Sequence, residues 1–387
     1  MNLRMCKNLI FFSFKNPSFL YKSHFSFLFF STSQRRETKN TLTVYDSLLQ
    51  KHHFSPEAAS QVVSVLTRIK NPEKSDSILL FLKETGFTKN HLEKMLRTWP
   101  RLLAASLEKT IKPKIKIFQD LDFSANDIAE IISNDPWYFT RSADNRLIPA
   151  LSVLKSLLGS SAEVAKVLKI SGWYLTVDLK KTLVANIEFL ESCGVDMEQI
   201  IKHIYIFPRF FFHSPTDMKN FVKKVDEMGT CRSSRLFIYA VRTVSSMTDE
   251  NWKLKLKHFS ELGFSKDDIL KMFKKSPTVF AVSQRKLKEV KEVLLATGKY
   301  DLSCIVKDPT SLVCSIEKKI KPRMQVLGIL DSRNLIKKWP SLSTITRMPE
   351  SKFLGKFVQP YLNEVGELYM ENSALKGRRD TKLLSSA

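Results

Sequence analysis

Apolar residues recur along most of this chain at the three- and four-residue spacing of an amphipathic helix, in segments that end at a small turn residue. Before Gly263, for example, Leu256, Phe259 and Leu262 fall on one helical face. No segment longer than a few residues alternates apolar and polar side chains at every second position, as a half-buried strand would. The pattern therefore predicts an all-α protein.

The helical segments repeat about every 35 residues. The first landmark is a turn residue suited to the left-handed backbone that ends a helix; it is found at Gly86, Asp122, Gly159, Gly194, Gly229, Gly263, Gly298 and Gly328. The second landmark follows fourteen residues later, at Pro100, Pro136, Pro208 and Pro277, with Trp173 and Thr243 in that slot of two degenerate copies and Pro309 and Pro340 slightly early. Two landmarks phased over eight copies identify an internal repeat.

Each copy predicts two helices and a short return segment. A helix-capping residue follows seven of the eight turns, at Thr88, Ser124, Ser161, Asp196, Ser265, Asp301 and Ser332. A second helix of about ten residues then runs to the proline, which lacks the N–H that would continue it. The apolar cluster after the proline, such as Phe210-Phe211-Phe212, predicts a short helical turn that packs into the core. The copies together predict a solenoid of helical repeats over residues 76–345, with leading helices in 37–75 and a carboxyl-terminal helix and basic tail in 346–387.

The repeat resembles that of the mitochondrial transcription termination factor (mTERF) family, in a plant-type organellar form. The resemblance rests on residues 82–87 leading to 99–103, on residues 262–265 leading to 275–280, and on the closing block 353–358 with Tyr361. It implies a right-handed superhelical solenoid that binds nucleic acid in an organelle. It also implies a role in transcription regulation, transcription termination or RNA maturation such as splicing.

The first 36 residues have the composition of an organellar transit peptide. They carry six basic residues and no acidic one, are rich in serine, and end at Arg35-Arg36. Lys15 and Lys22 interrupt the apolar stretch, so no stable membrane insertion is expected. We expect a mitochondrial protein, with the chloroplast as the alternative.

The charge of the chain points to a polyanionic partner. Lys and Arg number 62 against 39 Asp and Glu, a formal charge of +23, and without residues 1–36 the charge is still near +17. In the copies from Asp122 onward, positions ten and thirteen residues before the turn residue are basic in five of seven cases each, with a three-residue allowance for a shortened last copy. These residues are Lys109, Lys112, Arg146, Lys181, Lys219, Lys253, Arg285, Lys288, Lys318 and Lys321. Because positions three apart share a helix face, we expect a basic stripe that contacts the phosphates of duplex DNA or structured RNA.

Other chemistry finds little support in the sequence. Phosphate-binding glycine loops, nucleophile elbows and zinc-protease motifs are absent, so no enzyme activity, cofactor or metal site is predicted. The five cysteines are scattered without a CxxC pair, and the aromatic residues after the prolines are interpreted as core rather than as base-stacking surfaces. The alternative function is a helical-repeat scaffold for proteins. Organellar transcription or splicing proteins are possible partners under either hypothesis.

Overall fold

The structure, a computed structural model, describes residues 43–66 and 72–374. All regular secondary structure in these two ranges is helical, which confirms the all-α prediction. The predicted transit peptide, residues 1–36, lies outside the described residues, as does most of the basic tail. The chain divides into two compact units, one of residues up to Ile187 with Ile201–His213 and one of Glu188–Ile200 with residues from Ser214 onward.

The first unit carries the leading helices and the first repeats. Its helices are α1 (Val44–Gln50), α2 (Pro56–Val65), α3 (Pro72–Glu84), α4 (Lys89–Thr98), α5 (Lys112–Gln119), α6 (Ala125–Asn134), α7 (Ile148–Leu158) and α8 (Ser161–Ile170). The division between the units falls inside the next two helices, α9 (Ala185–Ser192) and α10 (Met197–Ile206).

The second unit carries the remaining repeats and the carboxyl-terminal helices. Its helices are α11 (Pro215–Glu227), α12 (Phe237–Ser245), α13 (Asp249–Glu261), α14 (Lys266–Lys275), α15 (Gln284–Leu295), α16 (Leu302–Lys307), α17 (Lys321–Ser332), α18 (Leu342–Arg347), α19 (Glu350–Phe357) and α20 (Leu362–Ala374).

A left-handed residue separates the two helices of each repeat, as the turn landmarks predict. The backbone φ is positive at Gly86, Gly159, Gly194, Gly229, Gly263 and Gly298, and also at Asp122. Asp tolerates this conformation better than most side chains, which explains how one copy dispenses with glycine. At Gly86 a β-carbon would also stand 3.0 Å from Cβ of Ala125 in the next repeat.

The last copy departs from the prediction. Gly328 lies inside α17, and the left-handed residue is Asn334, with a φ of 58°. Val326, Leu327 and Leu330 are buried on both sides of the glycine, and this apolar face outweighs the roughly 1 kcal/mol that a glycine costs inside a helix.

Two further landmarks of this copy move with its turn. Ser332 ends α17 and caps nothing, and Pro340 precedes α18 instead of ending a second helix. The turn at Asn334 falls 36 residues after Gly298, so the period of the repeat is kept.

The proline landmark begins a 3-10 helix in most repeats. Pro100, Pro136, Pro208, Pro277 and Pro309 are each the first residue of such a helix. The apolar side chains that follow are buried, which confirms the predicted return into the core; they include Leu103, Phe139, Phe211, Phe280 and Leu312.

The two degenerate copies differ from the predicted alignment. Gly172, and not Trp173, is the first residue of its 3-10 helix, which is the position that proline holds in the other repeats. The turn before α8 is one residue shorter, because Ser160 rather than Ser161 caps that helix. A β-carbon on Gly172 would lie 2.5 Å from Oδ2 of Asp135, so the carboxylate of the preceding repeat fills the space that a side chain would need. Thr243 is buried within α12.

A side chain from the first helix holds the 3-10 helix of the same repeat. Lys255 Nζ donates to the carbonyl of Val282 at 2.5 Å, and Lys286 Nζ donates to that of Val313 at 2.8 Å. The same arrangement joins Lys114 to Phe139 and Lys74 to Ala104, and in the last copy Arg323 donates in the same way to the carbonyl of Ile345 in α18. Burial lowers the pKa of the Lys114, Lys255 and Lys286 ammonium groups. We call these contacts the carbonyl clamp.

A buried polar cluster joins α1 to α3 at the amino-terminal end of the described chain. The carboxylate of Asp76 accepts hydrogen bonds from the Ser47 hydroxyl and from Lys51 Nζ, and it lies 3.2 Å from Nε2 of His52. Burial acts to raise the pKa of Asp76, but the hydrogen bonds from Lys51, Ser47 and His52 outweigh it and lower the pKa. Burial lowers the pKa of His52. The cluster is therefore held by a charged carboxylate and a neutral imidazole.

The carbonyl clamp predicts the effect of replacing Lys255. We expect Lys255→Met to destabilise the protein by about 1–3 kcal/mol, because the Val282 carbonyl loses its donor in a partly buried place. Lys253→Met, two residues away and exposed, should change stability by less than about 0.5 kcal/mol. Chemical denaturation of both variants measures the difference, and equal effects would contradict a structural role for Lys255.

The cluster at Asp76 predicts a pH dependence. Since the pKa of His52 is lower in the folded protein, the unfolded chain binds the extra proton, and the stability it contributes is lost as the pH falls below about 6.5. The protection factors of the amide hydrogens in α3, which are corrected for the intrinsic pH dependence of exchange, should therefore fall between pH 7 and pH 5. His52→Gln should reduce this fall, and an unchanged pH profile of the protection factors in that variant would contradict the assignment.

Candidate nucleic-acid interface

A capping residue fixes where the first helical segment of each repeat begins, and the predicted basic residues follow within its first turns. The Ser106 hydroxyl accepts from the backbone N–H of Lys109 at 3.2 Å, and Ser315 accepts from that of Lys318 at 3.1 Å. Ser283 caps the segment that contains Arg285 and Lys288 in the same way. The basic side chains therefore project from the amino-terminal ends of these segments.

In the first unit, the four predicted basic residues occupy comparable places in successive repeats. Lys109, Arg146 and Lys181 each lie in a widened π-helical turn that leads into the first helix. Lys112 is the first residue of α5. Lys109, Arg146 and Lys181 are exposed, whereas Lys112 is half-buried, with its ammonium 5.6 Å from the ring centroid of Phe81.

The second unit contains the other six predicted residues, all exposed. Lys219, Lys253, Arg285 and Lys288 lie in the first two turns of α11, α13 and α15. Lys318 and Lys321 repeat the arrangement of Lys109 and Lys112, with a widened turn before the first residue of α17. The last copy was expected to be shortened before its turn, and this expectation is wrong. Its first helix, α17, ends later than its counterparts, so Lys321 precedes the turn residue Asn334 by thirteen residues.

The position of these cations opposes the electrostatics of the helix. A helix amino terminus carries a partial positive charge, so a Lys or Arg in the first turn, such as Lys109, Arg285 or Lys318, is disfavoured there. Acidic neighbours offset part of this cost. Lys321 pairs with Glu317 at 2.5 Å, while Arg285 and Lys288 lie 3.8 Å from Glu289 and Glu292. Such exposed pairs contribute roughly 0–1 kcal/mol. Helix stability therefore does not explain why cations recur at this place.

The structure separates two kinds of basic residue that the sequence does not distinguish. Arg285 is 88% exposed at its side chain, whereas its neighbour Lys286 is part of the carbonyl clamp. Lys253 and Lys255 are divided in the same way, one exposed and one bonded to the Val282 carbonyl. The clamp residues were missed because a lysine directed at a carbonyl and a lysine directed at solvent look alike in one sequence. In the sequence, what marks the clamp residues is their position next to apolar residues that are buried in the same helix.

The 3-10 helices of the first unit also present exposed side chains, one of which, Trp137, was expected in the core. The residue after the proline place is Arg101, Trp137, Trp173 and Arg209 in four successive repeats, and all four are exposed. Trp137 and Trp173 retain 47% and 51% exposure, so the core interpretation is wrong for Trp137. It is confirmed for Phe139, Phe211 and Phe280.

Within residues 43–66 and 72–374, no three His, Cys, Asp or Glu side chains are grouped as a metal site requires. In those ranges no single helix is long and apolar enough to cross a membrane. The segments Ala143–Leu158 and Ser161–Ile170 reach that length and apolarity only as a pair, bent by 114°.

Comparison with known proteins identifies the family. No curated protein matches the chain significantly. The model of the mTERF family matches residues 79–147 and 140–354, which include most of the repeats and all ten predicted basic residues. The chain therefore belongs to the mTERF family of helical-repeat proteins, a membership that indicates an organellar, nucleic-acid-binding protein of transcription or RNA processing.

Proposed function

We propose that this protein binds duplex DNA or structured RNA in an organelle through the exposed basic residues at the starts of its first helices. It acts by occupancy, in transcription regulation or termination or in RNA maturation such as splicing. The observation that carries the proposal is the recurrence of mostly exposed cations in the first two turns of these segments, including first-turn positions where a cation does not stabilise the helix.

The chemistry of this surface suits a phosphate backbone. Each Lys or Arg that neutralises a phosphate releases condensed counterions, and this release is favourable for any base sequence. The backbone N–H groups at helix amino termini add to the positive potential, because the helix dipole directs its positive end there. Backbone contacts fix position and register, while sequence specificity needs contacts to base edges. The ten basic residues therefore account for affinity.

The proposed mode of action requires binding of the nucleic acid but no catalytic step. A protein that holds a duplex or a folded RNA blocks a polymerase, or keeps an RNA in the form that a processing enzyme requires. Organellar transcription or splicing proteins are the partners that such a role implies. The rival function is a protein-binding scaffold, which would not require exposed cations at one helical place in both units.

We also propose a mitochondrial location, on the composition of residues 1–36. Family membership supports an organelle, with the chloroplast as the alternative.

The proposed surface predicts a change in salt dependence. In the second unit, Lys253→Gln, Arg285→Gln and Lys288→Gln together should weaken duplex binding for all sequences alike. If all three engage phosphates, the slope of log K against log salt should fall by nearly three, since each phosphate contact on B-DNA contributes about 0.9. Glutamine is preferred to glutamate because Glu289 and Glu292 lie beside two of these residues.

A triple variant elsewhere in the same unit provides the control. Lys266, Lys307 and Lys338 are exposed and lie outside the first helices. Their replacement by glutamine removes the same charge and should change the salt slope less. Equal losses from the two triples would indicate diffuse charge, and no loss from either would favour the protein scaffold.

The targeting proposal predicts import of a reporter. Residues 1–36 fused to a fluorescent protein should direct it into mitochondria, because a basic, acid-free segment is drawn toward the negative matrix side. Replacing Arg35 and Arg36 together with Lys15 and Lys22 by glutamine should abolish import. A chloroplast signal would support the alternative location, and a cytosolic signal would refute targeting by this segment.

A further inference from the structure

Two exposed tryptophans lie at equivalent places in adjacent repeats of the first unit. Trp137 and Trp173 are each the second residue of a 3-10 helix, and about half of each side chain is open to solvent. The two 3-10 helices approach each other directly before these residues, since the carboxylate of Asp135 occupies the space beside Gly172. The two indole rings therefore belong to one surface.

Contacts on one side hold both rings in place. The ring centroid of Trp137 is 6.0 Å from that of Trp99, and the guanidinium of Arg209 is 4.8 Å from the ring centroid of Trp173. A cation within about 6 Å of an indole face is attracted to it. Each tryptophan thus has a contact that positions its ring, while about half of its side chain stays exposed.

Guanidinium groups flank the pair in the neighbouring repeats. Arg101 and Arg209 occupy the same 3-10 position before and after the two tryptophans. Both side chains are exposed. The 3-10 helices of the second unit carry Thr278 and Thr310 at this position, so the flat side chains are confined to the first unit. We call Arg101, Trp137, Trp173 and Arg209 the tryptophan surface.

From this geometry we infer that the tryptophan surface stacks with the bases of an unpaired segment of nucleic acid. Indole rings and guanidinium planes are the side-chain groups on which unpaired bases stack, and the charge of Arg101 and Arg209 suits the accompanying phosphates. In a regularly stacked duplex, neighbouring base pairs cover the faces of the bases, so an intact duplex offers this surface less to stack on. The inference rests on the proposed function and narrows its substrate to a nucleic acid that includes single-stranded nucleotides.

A double variant tests the inference in the full-length mature chain. Trp137→Leu with Trp173→Leu should weaken binding to a twelve-nucleotide single strand of mixed sequence by about 5- to 150-fold per tryptophan, the range found for base–aromatic stacking. Binding to a duplex DNA of the same sequence should change less than about twofold. The slope of log K against log salt should stay the same, because stacking releases no counterions. Single strands of RNA and of DNA, measured side by side, distinguish the two sources of unpaired bases.

Two controls keep the result interpretable. Ile170→Ala removes an exposed apolar side chain three residues before Trp173 without removing a ring, and it should leave single-strand binding unchanged. Trp137→Phe with Trp173→Phe retains a stacking face and should retain most of the affinity. Circular dichroism and thermal unfolding establish that every variant is folded.

The outcomes separate this inference from the proposed function. Equal single-strand affinity for wild type and the leucine variant overturns the inference, as does an equal loss on single strand and duplex. An unchanged affinity for nucleic acid with loss of a bound protein also overturns it and assigns the surface to a protein partner. If the wild type binds neither single strands nor duplexes, the proposed function fails instead.

Discussion

The packing of each 3-10 helix under the first helix of its own repeat is the constraint on which the other features depend. The second helix ends two residues before a proline or Gly172, and the apolar side chains that follow must be buried. The carbonyl groups at the end of the 3-10 helix then lie in a poorly hydrated place and need donors. Lysines of the first helix supply them, as Lys255 does for Val282. This contact sets the rotation of the first helix about its axis.

That rotation decides which basic residues can meet a ligand. Once Lys255 faces the Val282 carbonyl, Lys253 projects to solvent, because residues two apart point in different directions on a helix. The same division holds for Lys286 and Arg285. Some basic residues of this chain thus stabilise the fold by donating to carbonyl groups, and others project into solvent. The composition reports only the total number of both kinds.

The same 3-10 helix also decides which aromatic residues are core and which are surface. Its short pitch turns successive side chains by about a third of a circle. At Trp137-Tyr138-Phe139 the last two side chains are buried while the first is exposed. Gly172 allows the next 3-10 helix to approach Asp135 closely, which brings Trp173 to the equivalent place. The repeat position that holds Thr278 in the second unit therefore carries an exposed tryptophan in two repeats of the first unit.

The sequence by itself determined the all-α class, the period, seven of the eight left-handed turns and most of the prolines that begin 3-10 helices. These features depend on local chemistry: glycine or a short polar side chain for positive φ, and proline for a missing N–H. The phase of the repeat also selected the ten basic positions, of which all but the half-buried Lys112 are exposed, although the turn at Asn334 does not support the allowance used for Lys318 and Lys321. Only the tertiary structure decided that the last turn is at Asn334 and not Gly328, because buried neighbours carry α17 past its glycine. It alone separated the clamp lysines from the exposed ones and brought Trp137 and Trp173 to one surface. Those outcomes depend on which residues of other segments lie opposite each side chain, and no spacing within a single sequence records that.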